Sequence, residues 1–339
     1  VDPVVALVCA VVVAALGYGF TNGFHDAADA VATSIATRAL TPRIALALAA
    51  SMNFLGALIG VGFTTAIGER LADVGFLTTP DEAAGPAVLL VLLAGLTGAI
   101  VWNVVTWWLG IPIASTHALV GGLVGACVGA AVLVHWDVVA TRAALHILVV
   151  PLGSFLLAFL LMKLVTIGLA RASHKPMMQH FRAIQSMSAS VSAFGHGMFE
   201  AGKMMALMLV ALWAGGYYAG ETPTWVVVAA ACAISLGTLA GGQRIIKTLG
   251  KKITPLDPAQ GFAAQAVATT MVYASAVLLS APLGTSQAAT GAITGVGAAQ
   301  RRSVVRWNTV GAIAFVWLLT IPAAGLISAA MYYGLTHVF

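Results

Sequence analysis

Charge is what this chain has least of. Lys, Arg, Asp and Glu together make up 8 % of its 339 residues, where a soluble domain carries about a quarter. That scarcity excludes a soluble globular protein, and no stretch is polar enough to form a soluble domain of its own. Cysteine is nearly as sparse. Cys9, Cys127 and Cys232 lie far apart in apolar runs. An odd count without metal-ligand spacing excludes a disulfide framework and a clustered-thiol metal site, so the three read as small core residues. Lys and Arg are absent before the first apolar run, 4–16, and no polar break follows it. It reads as the start of a helix rather than a secretory leader. The net charge of +5 is no nucleic-acid footprint, because the basic residues gather at the ends of apolar segments, as the positive-inside rule requires.

What remains is apolar. Sixty per cent hydrophobic residues and a mean hydropathy of +0.98 describe an all-α, multi-pass cell-membrane protein. A bilayer core of ~30 Å takes ~20 residues of helix, and about ten segments meet that length. They are 4–34, 44–67, 86–108, 112–134 and 143–170, then 187–214, 224–242, 259–280, 283–299 and 307–335. Glycine, proline or polar residues interrupt several, so some are expected to be broken or re-entrant. Arg38 with Arg43, Arg171 to Arg182, Arg244 to Lys252, and Arg301 to Arg306 form four basic clusters. Placing all four in the cytoplasm gives one path. It starts outside, crosses about five times to a linker at 171–186, and returns outside after about five more; Glu69, Asp73, Asp81 and Glu82 then lie outside.

An odd number of spans per half means that related halves would sit upside down to one another. The halves do look related. "FTNGFHDAADAV" (20–31) is echoed by "FGHGMFEAGKMM" (194–205), pairing Gly23 with Gly197 and Asp26 with Glu200. "GIPIASTHALVGGLVGA" (110–126) is echoed by "SAPLGTSQAATGAITGV" (280–296), pairing Pro112 with Pro282 and Gly121 with Gly291. The offsets, 174 and 170 residues, fit one repeat with a small length change. The expected organisation is 1–170 as a first inverted repeat, 171–186 as cytoplasmic linker and 187–339 as a second, the pattern of secondary transporters.

Two motifs carry chemistry. In "GYGFTNGFHDAADAVATS" (17–34), His25, Asp26 and Asp29 fall on one helical face. Burying an isolated carboxylate in hydrocarbon costs ~2.5–3.5 kcal/mol even on the permissive insertion scale, so these groups should face the protein interior or water. They suit a proton or a cation, with Asn22, Asn103 and Glu200 as companions and Asp26 and Asp29 as possible sodium ligands. In "PIASTH" and "PLGTSQ", proline breaks the helix and opens a new helix N-terminus, where free N–H groups favour an anion. Ser115, Thr116, Thr285 and Ser286, with His117 and Gln287 beside them, would bind a tetrahedral oxyanion. Lys203 is either a further anion partner or snorkels to the interface. The glycines after each motif read as close-packing faces. His135 and His146 read as interfacial, and Trp residues at span ends as an aromatic belt.

At these motifs the chain resembles the inorganic phosphate transporter (Pit) family. "FTNGFHDAADAVATSIATRALTPR", "ASTHALVGGLVG", "GTLAGGQRIIKTLGKKITPLDPAQGFAAQ" and "QAATGAITGVG" are similar to family blocks, in the family's order. The resemblance implies phosphate symport with sodium or protons, two inverted repeats, no cofactor and a homodimer with a scaffold part and a transport part. The family signature is close to G-x-N-D-x-x-N in both halves. Here Asp29 replaces the final Asn of the first half, while Phe199 and Glu200 replace Asn and Asp in the second. Gly284 and Gln287 replace a hydroxyl and a His, and Gln265 replaces a Glu. The first half has gained a carboxylate and the second has lost oxygen ligands. That asymmetry points to proton rather than sodium coupling, through Asp29 or Glu200. Another oxyanion such as sulfate, and a passive ion channel, are the alternatives. A hydrolase using Ser115 with His117 is disfavoured, since residues two apart on a helix point in different directions.

Overall fold

The computed structural model describes residues 2–63, 85–171, 174–218, 220–278 and 284–338. Glu69, Asp73, Asp81, Glu82 and Pro282, and the side chain of His146, lie outside the described residues. Among the described residues the secondary structure is helical. In order, the helices are α1 (Pro3–Ala36), α2 (Pro42–Ile59), α3 (Gly85–Leu109), α4 (Ser115–Gly129), α5 (Trp136–Ala144) and α6 (Val150–Gly168). There follow α7 (His174–Ala214), α8 (Thr224–Ala240), α9 (Gln243–Lys247), α10 (Pro258–Leu278), α11 (Thr285–Gln300) and α12 (Trp307–Leu335).

Six helices among these residues are long and apolar enough to cross a membrane, and α8 with the helical stretch from Gln243 to Lys252 makes a seventh, bent by 52°. Of the three expected segments not among these seven, 259–280 is α10 (Pro258–Leu278), and the absence of the other two has a physical cause. α4 has 15 residues and α11 has 16, about 23 Å each at ~1.5 Å per residue, so neither spans ~30 Å alone. Both are the half-helices expected after "PIA" and "PLG". The segment at 143–170 is itself interrupted, with a π turn at Leu145–Val149 between α5 and α6. The polar interval at 171–186 is helical from His174 and runs unbroken into α7. Gln185, near its end, is fully buried and accepts from Thr37 Oγ1 at 2.8 Å.

The glycines set how closely helices approach, and the same contact recurs with the halves exchanged. A Cβ on Gly121 would stand 2.5 Å from the Ile321 carbonyl oxygen; one on Gly291 would stand 2.3 Å from that of Pro151. Both numbers of the first contact shift by 170 to give the second. Gly125 against Gly325 and Gly295 against Phe155 repeat the relation one turn on. α4 thus lies on α12 as α11 lies on α6. Gly237 meets the backbone of Phe20, and Gly56 that of Phe194, so α8 lies on α1 as α2 lies on α7. In lipid, such packing rather than a hydrophobic force holds helices together.

One expectation needs correction. Only Cys127 is buried; Cys9 and Cys232 are exposed. In a membrane helix an outward face is as apolar as the core, so an apolar run does not tell the two apart. The start of α4 is fixed from outside by Trp317, whose Nε1 donates to the Pro112 carbonyl at 3.0 Å. A Trp317→Phe variant should lose this bond and part of a packed ring, and with them more than ~1 kcal/mol of stability, read as a lowered unfolding temperature of the purified protein.

Candidate functional site

Both half-helices begin against the middle of α1. Tyr18, Asn22, His25, Asp26 and Asp29 are all buried on that helix. Their backbone is helical throughout, so the glycines at 17, 19 and 23 do not unwind it. Gly23 serves instead for approach, since a Cβ there would sit 2.2 Å from the Ile234 carbonyl oxygen of α8.

The hydroxyls and the carboxylates form one cluster rather than two separate sites. Ser115, the first residue of α4, donates to Asp26 Oδ1 at 3.0 Å. Thr285 and Ser286, the first residues of α11, donate to Asp29 Oδ2 at 2.8 and 2.7 Å. Each half-helix therefore holds a carboxylate of α1 at the end where its dipole and free N–H groups favour negative charge. Tyr18 steadies the first of these contacts by donating to the Ser115 carbonyl at 3.2 Å. The two half-helices meet at Gln287 and His117, Nε2 to Nδ1 at 3.4 Å.

The remaining predicted residues assemble around this cluster. His25 bridges two helices, with Nδ1 3.0 Å from Asp26 Oδ1 and Nε2 3.3 Å from Thr106 Oγ1 of α3. Asn103 lies one turn before Thr106, fully buried, and neither atom of its amide has a partner among the described residues. Asn22 Nδ2 donates to Glu200 Oε2 at 2.7 Å. Lys203 does not snorkel. It is 7 % exposed, and its Nζ donates to Glu200 Oε1 and Thr116 Oγ1, each at 2.5 Å.

Sequence reasoning missed His196. Its Nε2 lies 3.7 Å from Asp26 Oδ2 and its Nδ1 3.3 Å from Asn53 Oδ1. His196 stands 174 residues after Asn22, and Asp26 stands 174 before Glu200. The contact from His196 to Asp26 is thus the contact from Asn22 to Glu200 with the halves exchanged. The signal was present in the echoed motif, one residue before Gly197.

Four oxygens of the cluster, Asn22 Oδ1, Asp29 Oδ1, Asn103 Oδ1 and Gln287 Oε1, are buried and have no hydrogen-bond partner among the described residues. A buried acceptor left unpaired costs about 1–3 kcal/mol, a cost that a water, a protonated group or a cation would offset. A narrow crevice reaches Asp29 and Thr285 between α7, α10 and α11, lined also by Ser192, Thr269 and Tyr273.

Comparison with known proteins adds a second line of argument. The sequence matches the phosphate transporter family over residues 22–328. It is 41 % identical over 333 residues to a probable low-affinity inorganic phosphate transporter of Rhizobium meliloti (strain 1021), covering 96 % of each chain. It is 34 % identical over 341 residues to a protein of the same description from Bacillus subtilis (strain 168), covering 100 % of each. In fold it is similar to a solved structure described as the sodium-dependent phosphate transporter. The TM-score is 0.82 at 22 % identity, over 98 % of this chain and 100 % of that one.

Proposed function

The chain belongs to the phosphate transporter family, and from that premise we propose that it imports inorganic phosphate by symport with a cation, the proton favoured over sodium. It is a multi-pass membrane transporter and not an enzyme. The observation that carries the symport reading is the donation of Ser115, Thr285 and Ser286 to Asp26 and Asp29. A hydroxyl has one proton to give, so these donors cannot serve the carboxylates and a phosphate at once. A proton or cation arriving at Asp26 or Asp29 weakens the carboxylate as an acceptor and releases the hydroxyls. Phosphate then takes them, with Thr116, His117, Gln287 and Lys203 around it. Each ligand favours the other, and the linkage is reciprocal. The unpaired Asp29 Oδ1 supports a cation on that side.

The same reading includes two inverted repeats, about 1–170 and 187–339, joined on the cytoplasmic side. What supports it is the exchange of contacts between halves, from the glycine approaches to the Asn22–Glu200 and His196–Asp26 pairs. Movement of one part against the other about the paired half-helices would give alternating access. A homodimer belongs to the reading through the family resemblance.

The test is labelled phosphate uptake into proteoliposomes under proton and sodium gradients imposed separately. A proton gradient should drive uptake uphill, and excess sulfate should compete weakly. Drive by sodium alone would replace the proton with sodium. Strong competition by sulfate would change the substrate, and uptake that never runs uphill would mean a channel.

A further inference from the structure

Lys203 stands 174 residues after Asp29, as Glu200 stands 174 after Asp26. In the repeat, then, one position is acidic in the first half and basic in the second. Both side chains do the same thing geometrically. Asp29 reaches from the first half to Ser286 of α11, and Lys203 reaches from the second half to Thr116 of α4. Thr116 and Ser286 are themselves 170 apart, the offset of that motif. The Lys203 ammonium lies against Glu200 Oε1. Exchanging the halves carries that place to one beside Asp26 and Ser286, next to Asp29, where the first half has a carboxylate instead of an ammonium.

We propose that Lys203 is a built-in cation. It fills, covalently, the place in the second half that corresponds to the mobile cation place of the first, so that uptake depends on a dissolved cation at the Asp26–Asp29 side alone. This inference rests on the repeat and symport reading above. Among the described residues the ammonium uses two of its three donors, on Glu200 and Thr116, and it offsets the charge of Glu200. The two oxygens that hold it, Glu200 Oε1 and Thr116 Oγ1, are of the kind a small hard cation would use. Hard monovalent and divalent cations take such oxygen sets. The proposal also accounts for the asymmetry of the signature. The second half can give up family oxygen ligands because it no longer recruits an ion from solution.

The test replaces the ammonium with an amide, Lys203→Asn, and reads thermal unfolding of the purified protein as sodium is exchanged for choline at constant ionic strength. Vacating the place while adding an oxygen should create a sodium site. The variant should gain a sodium-dependent rise in unfolding temperature about 3 °C beyond that of the wild type, the size expected for a ligand at a few tens of times its Kd. Adding Glu200→Gln should abolish the gain. Recovery of Lys203→Asn as folded protein only in sodium is the same result in stronger form. Equal stability in sodium and choline, at whatever level, overturns the proposal, as does a gain that survives Glu200→Gln. Because the readout is equilibrium stability, it answers separately from the uptake assay. Wild-type protein that transports no phosphate under any gradient defeats the symport reading and leaves the sodium response of Lys203→Asn to be judged by itself.

Discussion

Asp29→Asn is expected to lower cation-driven phosphate uptake by about a hundredfold or more while leaving the protein folded. The amide is nearly isosteric with the carboxylate. Its oxygen still accepts from Thr285 and Ser286, which now hold Asp29 Oδ2 at 2.8 and 2.7 Å, so α11 keeps its seat on α1. What the amide cannot do is take up a proton or balance a cation. Hydrogen bonds to a charged group are worth about 1.5–3 kcal/mol each, against roughly 1 for neutral ones. The carboxylate therefore holds both hydroxyls more firmly than the amide will. A hundredfold change corresponds to about 2.7 kcal/mol, the size of the coupling lost when no proton or cation can change how firmly residue 29 holds the two hydroxyls. The variant should separate binding from coupling. Phosphate binding to the purified protein should be kept or tightened, because the hydroxyls are easier to release, while uphill uptake disappears. Near-normal uptake with unchanged proton and sodium dependence would move the coupling site away from Asp29.

Sequence pattern and structure part company at identifiable residues. The echo between halves was readable because each motif keeps small residues and polar groups at fixed spacing. It named Asp26, Asp29, Ser115, Thr285 and Glu200, and these do converge. It placed the cation residues and the oxyanion residues in two sites, because spacing reports which groups share a helix face and not what that face meets. Only folding brings Ser286 to Asp29, 257 positions earlier. Lys203 stayed undecided for the same reason, since Thr116 lies 87 positions away. His196 carries little signal alone, because a single histidine in an apolar run is ordinarily a satisfied core residue. Its offset from Asn22 was the informative fact. Apolar runs overcount spans at α4 and α11, because a half-helix and a full span are equally apolar. The polar interval before α7 hid a helix because part of its polarity is spent inward, as Gln185 shows.

The second large effect concerns the fold and tests the equivalence of the halves. Gly125→Val and Gly295→Val should each abolish the recoverable folded protein, and to a similar degree. A Cβ at Gly125 would stand 2.0 Å from the Gly325 carbonyl oxygen and 2.4 Å from its Cα; one at Gly295 would stand 2.3 Å from the Phe155 carbonyl oxygen. All three neighbours are backbone atoms, so no rotamer change relieves the contact and the helices must part. Overpacking usually costs about 1–3 kcal/mol and more where nothing yields, against a total stability of roughly 5–15 kcal/mol. The loss extends along the seam, because separating α4 from α12 also lifts Gly121 off Ile321, and separating α11 from α6 lifts Gly291 off Pro151. Within lipid nothing replaces that packing. Gly129→Ala is the control, since its nearest neighbour is a Tyr332 ring carbon at 3.4 Å, and it should leave yield and unfolding temperature almost unchanged. Monodisperse protein recovered from membranes is the measurement, with a fall of more than about tenfold expected for both valine variants. If Gly125→Val fails while Gly295→Val folds normally, the seams are not equivalent, and the exchange of contacts on which the repeat reading stands is broken at the half-helices themselves.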